Sequence, residues 1–416
     1  RGRRPEPRPD GGTARRAVAH AHAATEPLPG CVRQPARERV GRAELSARGA
    51  GYHRLSMFAR VAYVVSIAGT AAALLLRLLN ADAVLTFAVS GIAILGLAYI
   101  LGHATEELGA AAGPRIGGIL NATVGNIGEI IIAGFLIASN ELEVVKASIT
   151  GSIVGNLLLV LGASLLVGGL KNGIQRYDSQ ALGMNAASLI LATIGLIVPA
   201  TFAFLIGGGA ETGAGSSDFF SIEALSIGVA VVLLLTYAAQ TWFYFSTPEA
   251  TAPGERDPAE QANWTVRRSL IVLFGSAAAL TAVSEVLVHS LDPMVETLGI
   301  SKFFVGIILI PLIGNLAEHV VGITLAYKNK MDFSLVTSVG SATQIALFAA
   351  PVLVFFGLLV GNELTLVFSP LEVVAVGVGT FIAAYIALDG RSNWVEGLQL
   401  ISVYAILAIA FFFVTP

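Results

Sequence analysis

Apolar residues run through most of this chain in unbroken blocks of about 20, each set off from the next by a short polar stretch. At 1.5 Å of rise per helical residue, a block of that length matches the roughly 30 Å hydrocarbon core of a bilayer. The pattern predicts eleven spanning helices, over residues 58–79, 83–102, 118–138, 144–167, 180–205, 220–245, 266–290, 303–326, 333–359, 368–388 and 396–414. The fold class that follows is an all-α polytopic membrane protein. Basic residues in the connecting segments are unevenly divided. Arg60, Arg115, Lys171, Arg176, Arg256, Arg267, Arg268, Lys328, Lys330 and Arg391 fall on the side where the first helix starts, and only Arg77, Lys146 and Lys302 on the other. Lys and Arg gather in cytoplasmic loops, so the body is expected to start in the cytoplasm and to end outside. The bias also supports the helix count, since one missed span would scramble the alternation.

A second pattern is repetition. GNIGE at 125–129 returns as GNLAE at 314–318, a shift of 189 residues, and the same shift carries Asn140 to Asn329 and Gly151-Ser152 to Gly340-Ser341 without a gap. Five predicted helices separate the copies, so the copies enter the membrane from opposite sides. The expected architecture is one extra helix (57–79) followed by two inverted-topology repeats of five helices, 83–245 and 266–416, joined by a linker at 246–265. Secondary transporters are commonly built this way, with the ion site near the midplane where the repeats meet. Spacing supplies the depth. Glu129 and Ser152 lie 23 residues apart around Asn140-Glu141, as do Glu318 and Ser341 around Asn329-Lys330. Each is about eleven residues, or roughly 17 Å, from its turn, which puts both carboxylates and both hydroxyls near the centre of the bilayer.

Composition sharpens this picture at one end of the chain. Of the 416 residues, 55% are hydrophobic and 13% charged, where a soluble domain carries about 25% charged residues. Residues 1–56 stand apart: they hold 12 of the 25 Lys and Arg, all of them Arg, against 5 of the 28 acids. Such a segment buries too little apolar surface to offset its ordering entropy. It is expected to be a disordered basic stretch outside the fold, with Met57, the first methionine, as the natural start. A basic tail touching anionic lipid or nucleic acid is the other reading, and no nucleic-acid partner is expected of the membrane body. The single cysteine, Cys31, also lies there, so the body has no disulfide, thiolate metal site or cysteine nucleophile.

An acid at the bilayer centre costs about 2.5–3.5 kcal/mol on insertion scales. Glu129 and Glu318 are therefore expected to line an enclosed or watery site; a neutral pair that only fastens helices is the bland alternative. Asn126, Asn315, Ser152, Ser341, Asn156, Thr343 and Gln344 add neutral oxygens on the same helices, and Gly125, Gly128, Gly151, Gly155, Gly314 and Gly340 let helices approach or unwind. Pro311 and Pro351 interrupt helical bonding in the second copy. An all-oxygen set suits Ca²⁺, which takes six to eight oxygens at roughly 2.3–2.6 Å, whereas zinc or copper calls for His and Cys. Each carboxylate can hold part of a Ca²⁺ ion or a proton, not both, and that competition is a physical basis for exchange. No cofactor is called for; Ca²⁺ enters as cargo, and the remaining partner is the lipid bilayer. Nothing in the sequence fixes an oligomeric state.

These residues carry a resemblance. NATVGNIGEIIIA at 121–133, GSIVGNLLLVLG at 151–162, PLIGNLAEH at 311–319, KNKMDF at 328–333, GSATQIALFAAP at 340–351 and ATEEL at 104–108 together resemble the Ca²⁺/H⁺ antiporter (cation exchanger) family, over residues 57–416. The resemblance implies that Glu129 and Glu318 are the central acids shared between Ca²⁺ and H⁺, with Asn126, Asn315, Ser152, Ser341 and Gln344 in or beside the site. It also implies that Glu106 and Glu285 lie along the ion pathway, on the cytoplasmic and outer sides respectively. Gly128 and Gly155 depart from the family, which more often has Thr and Ser there. His319 follows Glu318 and points about 100° away from it on a helix; it is read either as a proton relay or as a hydrogen-bonded neighbour of the site. His103 and His289 are expected at the membrane interface.

Two other functions compete. A sodium-coupled calcium exchanger usually shows Gly-Thr-Ser-Pro-Glu-like repeats, whereas here Asn precedes the acid and His follows one. A membrane-embedded hydrolase needs an Asp-based or metal-His motif, which the chain does not display. The linker acids Glu249, Glu255, Asp257 and Glu260 are read as a solvated connector, and the glycine-rich stretch 206–217, which lacks a GK[ST] ending, as an outer loop. The absence of a long regulatory arm suggests a prokaryotic plasma membrane.

Overall fold

The apolar blocks form helices. In the computed structural model, which describes residues 60–112, 124–206, 217–246 and 263–414, they are α1 (Arg60–Leu78), α2 (Ala83–Ala112), α3 (Ile127–Ala138), α4 (Leu142–Asn172), α5 (Ser179–Leu205), α6 (Ser217–Ser246), α7 (Val266–Leu298), α8 (Lys302–Gly314), α9 (Leu316–Tyr327), α10 (Met331–Val360), α11 (Pro370–Asp389) and α12 (Trp394–Phe413). Among the described residues nine helices are long and apolar enough to cross a membrane, and the bent pair α8–α9 makes a tenth. The predicted block 118–138 is represented by α3, whose preceding residues 113–123 lie outside the described set. The basic segment 1–56, the linker acids and residues 207–216 of the glycine-rich loop also lie outside it.

Three boundaries differ from the apolar pattern. Helix α2 continues to Ala112 rather than stopping near 102, and α7 continues to Leu298 rather than 290. Backbone bonding carries both beyond the hydrocarbon-length window, so Glu106 and Glu107 are helical. The block 303–326 is not one rod: α8 and α9 meet at a bend of 62°.

The two halves, α2–α6 and α7–α12, repeat each other in detail. The turns between α3 and α4 and between α9 and α10 pass through Asn140 (φ 59°) and Asn329 (φ 60°). Asn tolerates this left-handed conformation better than most residues, which explains why both copies keep it. Helices α4 and α10 each carry a π-helical turn at matching positions, Gly155–Val160 and Ile345–Ala349. A third lies in α8, Val305–Leu309. Pro311 and Pro351 each stand two residues beyond a π turn; lacking an N–H, proline cannot continue the ordinary ladder.

Helices α4 and α10 form the centre, with 72% and 61% of their apolar windows buried, whereas α1, at 11%, lies on the periphery. Close approach at the centre depends on Gly151. A Cβ there would stand 2.0 Å from the Ile307 carbonyl oxygen and 2.7 Å from Pro311 Cγ, so α4 touches the backbone of α8 directly.

The end of each short glutamate-bearing helix is held by the opposite half. Asn362 Nδ2 donates to the Ile137 carbonyl of α3 (2.7 Å), and Asn172 Nδ2 to the Ala326 carbonyl of α9 (3.2 Å). Ile137 and Ala326 are themselves related by the shift of 189. The α9 end has further bonds. Gln175 Nε2 reaches the Ala326 carbonyl (3.1 Å) and Asn329 Oδ1 (2.9 Å), and Lys171 Nζ lies 3.3 Å from the Tyr327 ring centre. On the same face, β1 (Gln175–Arg176) pairs antiparallel with β2 (Arg391–Ser392). The Tyr177 hydroxyl donates to the Ile386 (2.6 Å) and Arg391 (3.0 Å) carbonyls, and burial raises its pKa. On the opposite face Lys302 binds both Glu141 (2.8 Å) and Asp292 (2.6 Å).

Candidate functional site

Both predicted acids occupy the same place in their helices. Helix α3 starts after Asn126 and α9 after Asn315, and these two asparagines share nearly one conformation, φ −92°, ψ 13° and φ −98°, ψ 8°. Glu129 and Glu318 are each the third residue of the helix that follows, in the first turn, where unpaired N–H groups and the helix dipole favour negative charge. Neither asparagine caps its own helix with its side chain. The side chains cross to the other half instead.

That crossing knits the site. Asn126 Nδ2 donates to Gln344 Oε1 (3.1 Å), Asn315 Nδ2 to Ser152 Oγ (3.0 Å), and Asn156 Nδ2 to Ser341 Oγ (3.0 Å). Ser341 in turn donates to Glu318 Oε2. Asn315 and Ser152 flank the Glu129 carboxylate, which is also within electrostatic reach of Glu318. Glu129 Cγ lies 3.2 Å from the point where Gly314 would carry a Cβ, so the acid of one half rests against the broken helix of the other. Every predicted ligand, Glu129, Glu318, Asn126, Asn315, Ser152, Ser341, Gln344 and Asn156, takes part in this cluster.

Acceptors in the cluster remain open. Asn126 Oδ1, Asn156 Oδ1 and Glu129 Oε1 are buried and no protein donor reaches them. Leaving a buried polar atom unpaired costs about 1–3 kcal/mol. Three unpaired oxygens beside a second carboxylate form a site suited to a hard cation. Among the described residues no three His, Cys, Asp or Glu side chains come together in a metal-binding group.

Known proteins resemble this chain in sequence and fold. The family described as Sodium/calcium exchanger protein matches residues 83–246 and 268–413, one segment for each half. The chain belongs to this family. A Ca(2+)/H(+) antiporter of Aphanothece halophytica is 40% identical over 353 residues, covering 80% of this chain and 92% of the relative. The Ca(2+)/H(+) antiporter ChaA of Bacillus subtilis is 37% identical over 360 residues, covering 85% and 99%. The solved structure of native YfkE, 35% identical, superposes with a TM-score of 0.73 over 85% of this chain and 100% of that one.

In this family member the other predicted residues are arranged less simply. His319 is buried, with 7% of its surface exposed, and its Nε2 has no hydrogen-bond partner. Thr343 turns back to bond the Val339 carbonyl (2.8 Å). Glu106 lies in the last two turns of α2, with its carboxylate 3.7 Å from His103 Nδ1. His103 stacks on Tyr99 and meets Trp264 edge-on. Glu285 and His289 lie on the exposed face of α7.

Two acids passed over in the sequence are more deeply placed. Glu107 is 1% exposed and accepts the backbone N–H groups of Asn263 (2.7 Å) and Trp264 (3.0 Å), tying the end of α2 to the entrance of α7. ATEEL contains this signal, but two adjacent acids do not reveal which one faces inward. Glu372 is 3% exposed, accepts from Thr150 Oγ1 (3.2 Å) and closes a capping box with Ser369. Ser369-Pro370-Leu371-Glu372 is a recognisable helix start.

Proposed function

We propose that this chain exchanges Ca²⁺ for H⁺ across a membrane by alternating access, with Glu129 and Glu318 binding the metal or protons in turn. The observation that carries the reading is the trio of buried, unpaired oxygens on Asn126, Asn156 and Glu129. Each is open to a hydrogen-bond donor or to a cation. A Ca²⁺ ion serves all three at once and balances the two carboxylates. When the metal leaves, protons on the carboxylates replace its charge, so the net charge of the site changes little and either form can cross. The relatives named as Ca²⁺/H⁺ antiporters, matched over most of their length, support the same pair of ions.

Within this reading Asn126, Asn315, Ser152, Ser341, Asn156 and Gln344 shape the coordination shell. His319 assists proton movement beside Glu318. Glu106 lies on the cytoplasmic approach and Glu285 on the outer one. The excess of basic residues on the face where α1 starts supports a cytoplasmic start and an outer C-terminus, and the Bacillus subtilis relative supports a prokaryotic plasma membrane as the setting.

The test is uptake of radioactive Ca²⁺ into sodium-free proteoliposomes driven by an imposed pH gradient. The wild-type protein accumulates Ca²⁺, and Glu129→Gln and Glu318→Gln each abolish it while remaining folded. Coupled uptake persisting in either variant, or a wild-type requirement for sodium, contradicts the proposal.

A further inference from the structure

The halves are alike at Asn126 and Asn315, Glu129 and Glu318, and Ser152 and Ser341, but differ just beyond the serines, where Asn156 corresponds to Ile345. The shift of 189 that carries Ser152 to Ser341 carries Gly155 to Gln344. In the second half Gln344 fills its position, and its carbonyl receives the amide of Asn126 at 3.1 Å. In the first half Gly155 is buried, yet a Cβ placed on it meets nothing within 4 Å. Buried glycines elsewhere in the core behave differently: Gly151, Gly162, Gly168 and Gly169 all face atoms closer than 3 Å. The space beside Gly155 is therefore an internal opening rather than a tight crossing.

Its direction is set by helix geometry. Residues three and four positions apart share a face, so the missing side chain of Gly155 points the same way as Ser152, with Asn156, the next residue, about 100° round the helix. Both belong to the web. Asn156 is fully buried, donates to Ser341 and leaves its Oδ1 unpaired. Ser152 flanks the Glu129 carboxylate, whose Oε1 is unpaired, so the opening lies on the side of an oxygen available to a cation.

Counting donors indicates what fills it. The cluster offers Asn126 Oδ1, Asn156 Oδ1, the Glu129 carboxylate and the Glu318 carboxylate, one of whose oxygens already receives Ser341. Ca²⁺ takes six to eight oxygens, and carboxylates that bind through one oxygen each leave the shell short. A water molecule requires little more than the volume of one probe sphere and two to four polar partners.

We propose that Gly155 is a specificity-determining residue: the opening at its Cα holds a water molecule of the transported ion's inner shell, so the ion is carried partly hydrated. The inference rests on the Ca²⁺/H⁺ reading above. Gln344 serves as the counterpart, closing the equivalent position in the other half with an amide. The shell is consequently lopsided, dry on the side of the second half and wet on the side of the first.

Alanine and serine differ by one oxygen and little volume, and both fit the opening. Gly155→Ala excludes the water and offers nothing in its place; Gly155→Ser excludes the water but returns an oxygen. The experiment measures the Ca²⁺ dependence of pH-driven uptake for wild type and both variants, with melting temperatures in detergent as a check on folding. The expected result is a rise in KM of about tenfold for Gly155→Ala and recovery of at least threefold of that loss in Gly155→Ser, with neither variant melting lower than wild type. Equal KM shifts in the two variants assign the effect to the π turn instead and overturn the proposal, as does an unchanged KM in Gly155→Ala. If wild-type protein shows no pH-driven uptake, the exchange reading itself fails, and this inference with it.

Discussion

At the residue scale, the site is made by side chains that decline their usual local bonds. Asn126 and Asn315 stand where an N-cap residue normally turns onto its own helix, and both reach into the other half instead. Their identity was legible because a single offset aligns them, together with Glu129, Glu318, Ser152 and Ser341. Their pairing was not: the sequence does not say that Asn126 meets Gln344 while Asn315 meets Ser152, since that choice follows from Gly155 standing where Gln344 has its counterpart. Gly151 shows the same limit. A glycine in the sequence indicates only that close approach is permitted, and the structure identifies the partner as the Ile307 carbonyl. Gly151→Ala places a methyl group against backbone that cannot swing aside. We expect a loss of at least about 1–3 kcal/mol, the usual range for overpacking, seen as a lower melting temperature and reduced yield of folded protein.

At the scale of the element, broken helices separate stability from transport. Pro311 removes one N–H from α8 and stands against Gly151, just before the 62° bend to α9. Proline inside a helix costs about 3 kcal/mol relative to alanine. Pro311→Ala should therefore raise the melting temperature while straightening the approach to Glu318, and Ca²⁺ uptake should fall at least fivefold. A variant that is both more stable and equally active would show that the bend is incidental. The helix ends allow a finer comparison. Asn362 is the side-chain donor at the end of α3, whereas Asn172 shares the end of α9 with Lys171 and Gln175. A hydrogen bond contributes about 0.5–1.5 kcal/mol net, so Asn362→Ala should cost most of that range and Asn172→Ala less. Hydrogen exchange at residues 135–139 and 324–328 measures the difference directly. Helix number and order were readable from apolar block length, but the extra turns of α2 and α7 and the π turns were not. The first are held by backbone bonding beyond the hydrocarbon window, and the second leave no trace in hydrophobic period.

At the scale of the whole molecule, the inverted repeat distributes fastening unequally between the two faces. The face carrying β1 and β2 joins the halves through backbone pairing, Tyr177 and the Lys171–Tyr327 contact. The other face relies on Asn362, the Lys302–Glu141 pair, in which Lys302 is also held by Asp292 of its own half, and Lys146 Nζ donating to Thr365 (3.2 Å). The partly exposed Lys302 pairs contribute little, about 0–1 kcal/mol each and less in salt. The second face is therefore the more easily loosened, and raising ionic strength should increase exchange of its backbone amides before those near β1 and β2. Equal protection on both faces across a salt series would contradict this ordering.

The reciprocal hold of Asn362 on α3 and Asn172 on α9 has a consequence for how such a protein can be assembled. Each half presents its glutamate on a short helix whose far end is anchored by a residue the other half supplies, so neither half contains a finished gate. If the chain is severed between residues 247 and 262, the two fragments must lie in the bilayer with opposite senses before either helix is secured. Produced singly, each should be degraded or remain inert; produced together, they should recover uptake only when that antiparallel arrangement is reached. The duplication thus made two incomplete parts mutually necessary.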